Sequence, residues 1–150
     1  MSQDAPSSTD PLVQLADAVL HVGRKLRAYP LQDERVAPLT ALECLVLLHI
    51  DAHPGVAPSA LASTLSLTSS NASTALRGLV KKGQVERRPD PSDRRAVCLH
   101  LTGEAERSVA TVRGMYRDLL SAIGLPAQDV LATVRTLHAI DAAMNDSAEQ

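Results

Sequence analysis

Hydrophobic residues recur at intervals of three and four along most of the chain, which is the spacing of amphipathic helices. This spacing predicts a first helix that ends near Tyr29, because Pro30 disfavours helical geometry in the residue before it. Threonines stand where the N-caps of three later helices are expected, at Thr40, Thr68 and Thr102. In full, the pattern predicts helices over residues 12–28, 40–53, 58–65, 68–82, 102–123 and 126–144.

Between residues 85 and 101 the spacing changes to the alternation of extended strands. Residues 85–88 and 97–101 flank a segment of proline, aspartate and serine, and together they predict a β-hairpin. In the second strand we expect the alternate residues Val97, Leu99 and Leu101 to be buried, with Cys98 on the outer face. Because strands and helices do not alternate, the predicted fold class is mainly α with a small β-hairpin.

Two of the predicted helices, over residues 58–65 and 68–82, are joined by a very short turn, which is typical of a helix-turn-helix. The apolar spacing predicts which side of each helix is buried. In the helix before this pair, the predicted buried residues are Leu42, Leu45, Val46 and Ile50. In the second helix of the pair they are Ala72, Leu76, Leu79 and Val80.

The length and composition are those of an ordinary globular protein. With 150 residues, of which 45% are apolar, the chain can bury a core of leucine, valine, isoleucine and alanine. Two tyrosines are its sole aromatic residues, which argues against RNA binding by base stacking. Two cysteines cannot form a disulfide framework, and neither a signal segment nor a membrane-spanning stretch is evident. We therefore expect a cytoplasmic protein that does not bind membranes.

Charge is distributed unevenly along the sequence. The net charge is -2, but residues 68–95 contain seven basic and three acidic residues, a local charge of +4. No carboxylate occurs between Asp51 and Glu86. A solvated helix face followed by a charged turn would account for this distribution equally well. The alternative is a basic surface that binds nucleic acid on an otherwise acidic molecule.

The second helix of the helix-turn-helix has a polar side that contains cations and no acid. Short hydroxyl and amide side chains near its N-terminus can approach the edges of DNA bases, and the cations further along can reach a guanine or a phosphate. If this side packed against a neighbouring helix instead, its cations would be buried without a partner, at a high cost in free energy. The residues predicted to contact DNA are Ser70, Asn71, Ser73, Thr74, Arg77 and Lys81.

The tip of the hairpin has a second candidate site, made of Asp93, Arg94 and Arg95. An arginine on a narrow projecting loop can enter a minor groove, where the potential is most negative. Asp93 would brace Arg95 and leave Arg94 available to DNA. The alternative is an exposed turn with a surface ion pair, which contributes less than about 1 kcal/mol.

Three segments around this hairpin resemble the wing of the MarR family of transcription regulators. They are Gly-Gln-Val-Glu-Arg at residues 83–87, Asp-Pro-Ser-Asp-Arg-Arg at 90–95 and Leu-His-Leu-Thr at 99–102. The order of predicted helices is also similar to that of the family, so the resemblance extends over nearly the whole chain. It implies a winged helix-turn-helix protein that binds double-stranded DNA and regulates transcription.

The resemblance also implies a division of the chain. It predicts a disordered tail over residues 1–10 and one fold over 11–145, in which 39–101 form the winged helix. Residues 11–29 and 102–145 would be the dimerisation helices of a homodimer. Such a dimer places its two recognition helices in successive major grooves about 34 Å apart, on a pseudo-palindromic operator.

Members of the family are usually repressors that a small aromatic or phenolic ligand releases from DNA, and others respond to thiol oxidation or to metals. For this chain the resemblance implies an effector pocket near His21, Glu43 and Cys44, and neither a cofactor nor a bound metal. Two alternatives remain open. Cys44 could be a redox-sensitive thiol, and His49 and His53, four residues apart, could bind zinc.

The sequence departs from the family pattern at several positions. Ser66 occupies a turn position that is often glycine, which costs about 1 kcal/mol if its backbone is left-handed. Thr74 stands where arginine is frequent and Arg77 where an acid is common, so the operator sequence is expected to differ as well. Cys44 replaces a frequent tryptophan.

Two other classes of protein can be compared with this prediction. An enzyme is not indicated, because the sequence contains no nucleophile elbow, phosphate-binding loop or dinucleotide-binding motif. A winged helix that binds protein would be expected to carry leucine, methionine or aromatic anchors on its outer face. The hydroxyls, amide and cations of residues 70–81 favour DNA instead.

Overall fold

In the computed structural model, the described residues are 10–29, 38–93 and 95–148. Within them, α1 forms one compact unit and the remaining elements form another. The first nine residues of the predicted tail and Arg94 lie outside the described residues. The elements are α1 (Pro11–Ala28), α2 (Ala41–Ala52), α3 (Pro58–Thr64), α4 (Ser69–Lys81), β1 (Val85–Pro89), β2 (Val97–Leu101), α5 (Gly103–Ser121) and α6 (Ala127–Ala148).

Helix α1 has the ends that its sequence predicts. The Asp10 carboxylate accepts a hydrogen bond from the backbone N–H of Leu12 at 2.8 Å and caps the helix, and Pro11 occupies the first turn. The helix ends before Tyr29. No side chain of α1 is buried in the structure, and Leu12 and Leu20 are more than 70% exposed.

The three predicted threonine caps are confirmed. Thr40 and Glu43 form a reciprocal capping box at the start of α2. Thr68 accepts from the N–H of Asn71 and caps α4, and Thr102 accepts from the N–H of Ala105 and caps α5. The Thr102 hydroxyl also donates to the Gly83 carbonyl at 2.6 Å, which ties the start of α5 to the end of α4.

Helices α3 and α4 end in the same way, with a residue of positive φ and two hydrogen bonds that close the last turn. After α3, Ser66 has a φ of 50° and donates to the Ser63 carbonyl, and Leu67 donates to the Ala62 carbonyl. After α4, Gly83 has a φ of 66°. The conditional strain predicted at Ser66 is therefore present, because a side chain stands where glycine is favoured.

The core of the second unit lies where α2, α3, α4, the hairpin and the start of α5 meet. It is aliphatic, as the composition predicts. Two expectations about its members are wrong: Leu45 and Val80 are 44% and 41% exposed. Leu47 and Ala75 are buried instead, because the side of each helix that faces its neighbours is rotated slightly from the predicted one. The fully buried aliphatic residues include Val46, Leu47, Ile50, Leu61, Leu76, Leu79 and Leu99.

The hairpin is antiparallel, with Val85 opposite Leu101 and Pro89 opposite Val97. On its other side, β2 exchanges hydrogen bonds with the loop after α2, from Gly55 N to Leu99 O at 2.9 Å and from Leu99 N to Val56 O at 3.0 Å. These bonds connect β2 to the segment after α2, so β2 has backbone partners on both of its edges, β1 on one and residues 55–56 on the other.

The prediction that Val97 is buried and Cys98 faces outwards is wrong. Val97 is 38% exposed because it lies at the distal end of the hairpin, away from the core. Cys98 is 8% exposed, since Asp90 in the turn lies over it with 3.3 Å between the thiol sulfur and Oδ2. Leu99 is fully buried, as expected.

Helix α6 is longer than the sequence predicts. It runs to Ala148, beyond the predicted end at residues 144–145. Its hydrophobic residues are largely exposed, with Leu131 at 59% and Met144 at 68%. Within the part of the chain that is described, no helix is both long and apolar enough to cross a bilayer.

Candidate nucleic-acid interface

Helix α4 has one buried and one exposed side. Ala72, Ala75, Leu76 and Leu79 face the core and are at most 4% exposed. The opposite side is polar and contains two cations and no carboxylate. All six residues predicted to contact DNA on this helix are exposed: Ser70, Asn71, Ser73, Thr74, Arg77 and Lys81.

The N-terminal half of this exposed surface combines hydroxyl groups with backbone N–H groups. The Thr68 side chain satisfies the N–H of Asn71, while the first N–H groups of a helix have no acceptor within the helix itself. Further along, Nη2 of Arg77 donates to the Thr74 hydroxyl at 3.3 Å, so the guanidinium lies along the same face. The surface can therefore donate hydrogen bonds to an anion or to base edges.

A buried carboxylate lies behind the last turn of α4. Glu43 of α2 is 6% exposed, and its Oε2 accepts from the backbone N–H of Thr40 at 2.7 Å and from Nζ of Lys82 at 2.6 Å. Burial raises the pKa of Glu43, but the hydrogen bonds and the positive charge of Lys82 outweigh it, and the net shift is downwards. The carboxylate is therefore ionised and bridges α2 and α4.

The turn of the hairpin is organised by Asp90. Its Oδ1 accepts from the backbone N–H and the hydroxyl of Ser92, at 2.7 and 2.6 Å, and from the N–H of Asp93 at 3.3 Å. Hydrogen bonds from Ser92 are the main reason that the pKa of Asp90 falls to about 2, with a smaller contribution from the Cys98 thiol. At neutral pH, Asp90 is therefore ionised and holds the turn through these hydrogen bonds.

The predicted pairing of Asp93 with Arg95 takes a different form. Oδ1 of Asp93 accepts from the backbone N–H of Arg95 at 2.9 Å, so the carboxylate braces the backbone of Arg95. The Arg95 side chain is exposed beside it. Arg94, the third residue predicted to contact DNA at this tip, lies outside the described residues, and its role stays a prediction.

The three residues predicted to line an effector pocket have different surroundings. His21 is exposed on α1, whereas Glu43 and Cys44 are buried on α2. An open pocket of about 260 Å³ lies between the end of α2, the base of the hairpin and α5, and none of the three residues lines it. The effector pocket therefore stays a prediction. The residues that line the observed pocket are Ile50, Asp51, Pro54, Arg88, His100, Leu101 and Glu106.

The structure gives little support to Cys44 as a redox sensor. Cys44 is 3% exposed, and burial raises the pKa of its thiol, with a further increase from the neighbouring Glu43 carboxylate. Reactive cysteines are accessible and have a lowered pKa. Cys44 is instead inaccessible and has a raised pKa, which favours its interpretation as a small core residue.

The two histidines at the end of α2 contact each other. Their rings stack with centroids 4.4 Å apart, and Nδ1 of His53 lies 3.1 Å from the His49 carbonyl oxygen. Burial lowers the pKa of His49, and the neighbouring His53 lowers it further. Among the residues described, no group of three or more histidines, cysteines or carboxylates is arranged to hold a metal ion.

Sequence reasoning missed the contacts behind the interface. The bond from Lys82 to Glu43 joins residues 39 positions apart, and no local pattern indicates it. The bond between Cys98 and Asp90 was missed because strict alternation placed Cys98 on the outer face. Gly78, in the middle of a predicted helix, was an available signal, since an isolated helical glycine often marks a close approach.

The short α3, the tight turn at Ser66, the exposed α4 and the adjoining hairpin define a winged helix-turn-helix protein. The model of the MarR family matches residues 37–96, which cover α2, α3, α4 and β1 and end just before β2. Over this segment of 60 residues the chain is similar to the MarR family. A comparison with curated protein sequences found no match.

Several solved structures are similar to the chain over nearly their whole length. A cysteine-to-serine mutant of MarR from E. coli is 28% identical, with a TM-score of 0.68, over 89% of this chain and 98% of that one. FabT from Streptococcus pneumoniae in complex with DNA is 20% identical, with a TM-score of 0.67, over 90% and 98%. The repressor CouR bound to a 23-mer DNA duplex is 24% identical, with a TM-score of 0.66, over 91% and 99%.

Proposed function

We propose that this protein is a transcription regulator that binds double-stranded DNA sequence-specifically through α4 and the hairpin, which we call the wing (residues 85–101). The observation that carries the proposal is the exposed side of α4, where six polar or basic residues and no carboxylate extend from the first turn of the helix to the last. The surface is suited to base edges and phosphates. It lacks the large apolar anchors that a protein interface would need.

The charge of the molecule supports the same function. The segment from residue 68 to residue 95 has a net charge of +4, although the whole chain has -2. Attraction between such a segment and phosphate gives affinity that decreases steeply with salt. Two of the similar structures, FabT and CouR, are complexes with DNA.

We further propose that the protein acts as a homodimer on a pseudo-palindromic operator. Large hydrophobic side chains are exposed in α1, in α6 and near the end of α5, a combination that is unfavourable in a monomer. Covering them with a second copy would double the basic surface and present two α4 helices to successive major grooves. The most exposed of these side chains are Leu12, Leu20, Ile123, Leu131 and Met144.

The mode of regulation that we propose is repression relieved by a small aromatic or phenolic ligand. Support comes from the family resemblance and from the similarity to CouR, which is described as a transcriptional repressor. The predicted ligand-contacting residues are His21, Glu43 and Cys44. Binding of the ligand would be detected as release of DNA by the wild-type protein in a screen of phenolic compounds.

The DNA-binding surface can be tested by removing its cations one at a time. We expect Arg77→Ala and Lys81→Ala each to weaken binding by roughly 1–3 kcal/mol for a base contact, or to reduce the salt slope by about 1 for a phosphate contact. Arg117→Ala removes the same charge from an exposed position on α5 and serves as the control. Fluorescence anisotropy with labelled duplex over a salt series measures both quantities. If all three variants bound DNA with the same affinity and salt dependence, the assignment of α4 to the DNA interface would be contradicted.

The wing is tested separately by Arg94→Ala. We expect a loss of roughly 1–3 kcal/mol in operator affinity with no change in the folded state, because an arginine at the tip would enter the minor groove. Circular dichroism reports the folded state and anisotropy reports the affinity. Unchanged operator affinity in the folded variant would show that the tip of the hairpin does not contact DNA.

A further inference from the structure

Glu43 connects the start of α2 to the end of α4 through a single carboxylate. Oε2 accepts from the N–H of Thr40 at 2.7 Å, which completes the capping box of α2. The same oxygen accepts from Nζ of Lys82 at 2.6 Å. Lys82 is the C-cap residue of α4, so the carboxylate links the first turn of one helix to the C-cap of the other.

The other carboxylate oxygen lies against the backbone of α4. A Cβ atom added at Gly78 would lie 2.2 Å from Oε1 of Glu43, which is far inside van der Waals contact. A glycine weakens a helix interior relative to alanine. Here its missing side chain creates the space that the carboxylate occupies. Glu43 therefore fits against α4 at two places, one turn apart.

These contacts lie on the last turn of α4, which carries Lys81 of the proposed interface and directly follows its other exposed residues. Residues 70–77 precede Gly78 directly, and α4 is a short helix of 13 residues. A rotation or translation of its last turn is therefore transmitted to every side chain that would read DNA. Small displacements matter, because hydrogen bonds to base edges tolerate little change in distance or angle.

We propose that Glu43 is a positioning residue that sets the orientation of α4 on α2 and thereby determines how selectively the protein reads its operator. The proposal deepens the proposed function and rests on it. Glu43 touches no DNA, since it is buried behind α4. Lys82 and Gly78 are its partners in this role.

The test measures selectivity and not stability. Wild-type protein first selects a duplex from a random-sequence pool, and each variant is then titrated with that duplex and with an unrelated one. We expect Glu43→Ala to lower the ratio of the two affinities roughly tenfold or more, with affinity for the unrelated duplex nearly unchanged. Glu43→Gln keeps an acceptor for Thr40 and should recover part of the ratio.

A second ion pair on the same helix provides the control. Asp51 of α2 pairs with Arg113 of α5 at 2.6 Å, so Asp51→Ala removes an ion pair of the same length, although a more exposed one, that does not involve α4. We expect this variant to keep the wild-type ratio. If it lost selectivity to the same extent as Glu43→Ala, the effect would be one of general stability and the proposal would be overturned.

Further outcomes separate a failure of the positioning role from a failure of the proposed function. Should Glu43→Ala fail to fold, Gly78→Ala displaces the carboxylate without removing it, and it is expected to reduce the ratio in the same way. An unchanged ratio in a folded Glu43→Ala or Gly78→Ala variant would overturn the positioning role while leaving DNA binding intact. Failure of the wild-type protein to select any duplex would overturn the proposed function and, with it, this inference.

Discussion

Ser66 is the residue at which local strain is most evident. Its φ of 50° lies in the left-handed region, and both hydrogen bonds that end α3 depend on that conformation. The equivalent position after α4 is Gly83, which adopts a similar φ of 66°. The two helix ends therefore provide a matched pair in which the same backbone geometry is built with and without a side chain.

We expect Ser66→Gly to stabilise the protein by about 0.5 kcal/mol. Relief of left-handed strain contributes about 1 kcal/mol, and the greater freedom of glycine in the unfolded chain offsets part of it. Gly83→Ser should destabilise the protein by a comparable amount. Urea denaturation of both variants measures these differences. Loss of stability in Ser66→Gly would contradict the strain argument.

Gln84 has the least satisfied polar side chain among the described residues. It is fully buried, and neither Oε1 nor Nε2 has a hydrogen-bond partner in the structure. Its backbone is well bonded, with the N–H donating to Leu79 O and the carbonyl accepting from Thr102 N. The unsatisfied side-chain amide is therefore the part of Gln84 that lowers the stability of the fold.

Replacement of this amide by an apolar side chain of similar length should be stabilising. We expect Gln84→Met to raise the free energy of unfolding by about 1–3 kcal/mol, which is the typical cost of an unsatisfied buried polar group. Gln84→Glu adds a buried charge at the same size and should act in the opposite direction. Thermal unfolding of the wild type and the two variants gives their order of stability. A less stable Gln84→Met would show that the amide has a favourable contact.

Burial of single residues could be predicted from the sequence where a regular period applies. The exposed side of α4 was predicted correctly, because polar residues there follow the helical period without interruption. Cys98 was not, since its burial depends on Asp90 in the turn above it and not on the alternation of its own strand. Helical spacing also says nothing of the pairing between Glu43 and Lys82.

The wing is an element whose turn is shaped by one side chain. Asp90 bonds to Ser92 and Asp93, and its backbone N–H donates to the Ala96 carbonyl at 3.0 Å. The sequence predicts the hairpin and its approximate turn through proline, aspartate and serine. It does not predict which aspartate organises the turn.

The lowered pKa of Asp90 leads to a specific pH dependence. A carboxylate with a folded-state pKa of about 2 and an ordinary value of 3.8 stabilises the folded turn fully above pH 3.8, and this contribution is lost as the pH falls through about 2. We expect the amide chemical shift of Ser92, which donates to Asp90, to remain close to its neutral-pH value at pH 3. Shifts that change with a midpoint near 4 would contradict the hydrogen-bonded turn. Asp90→Ala should give altered shifts at every pH.

Helix boundaries are the feature of the elements that sequence predicts best here. Threonine caps, Pro30 and Gly83 mark the ends through steric or hydrogen-bonding effects that act within a few residues. The end of α6 was placed too early, because the polar residues after Asn145 are compatible with either a helix or a tail. The residues around the end of α6 therefore do not determine where the helix stops.

Large exposed hydrophobic residues characterise α6 and the end of α5. Ile123 is 60% exposed and Leu131 is 59% exposed, although the core of the second unit is fully aliphatic and well buried. This arrangement supports the proposal that a second copy of the chain covers them. Their partner surface cannot be read from one sequence, since side chains that pack between chains show the same period as those that pack within one.

The proposed homodimer predicts how single substitutions on α6 affect assembly. We expect the wild-type protein to have a mass of twice the 15.9 kDa of one chain in light scattering after gel filtration. Leu131→Glu should shift the equilibrium towards monomer, because it places a charge in the apolar interface. Thr136→Glu, which lies about 140° around α6 from Leu131 at 100° per residue, is the control and should leave the dimer intact. A monomeric wild-type protein would contradict the proposal.

Sequence-specific DNA binding is the central claim, and one titration tests it most directly. Purified wild-type protein is titrated with the DNA upstream of its own gene and with an unrelated duplex of equal length, at several salt concentrations. We predict tight binding to the upstream DNA, weaker binding to the control duplex, and a steep decrease of both affinities with salt. Equal affinities for the two duplexes at every salt concentration, or no binding to either, would contradict it.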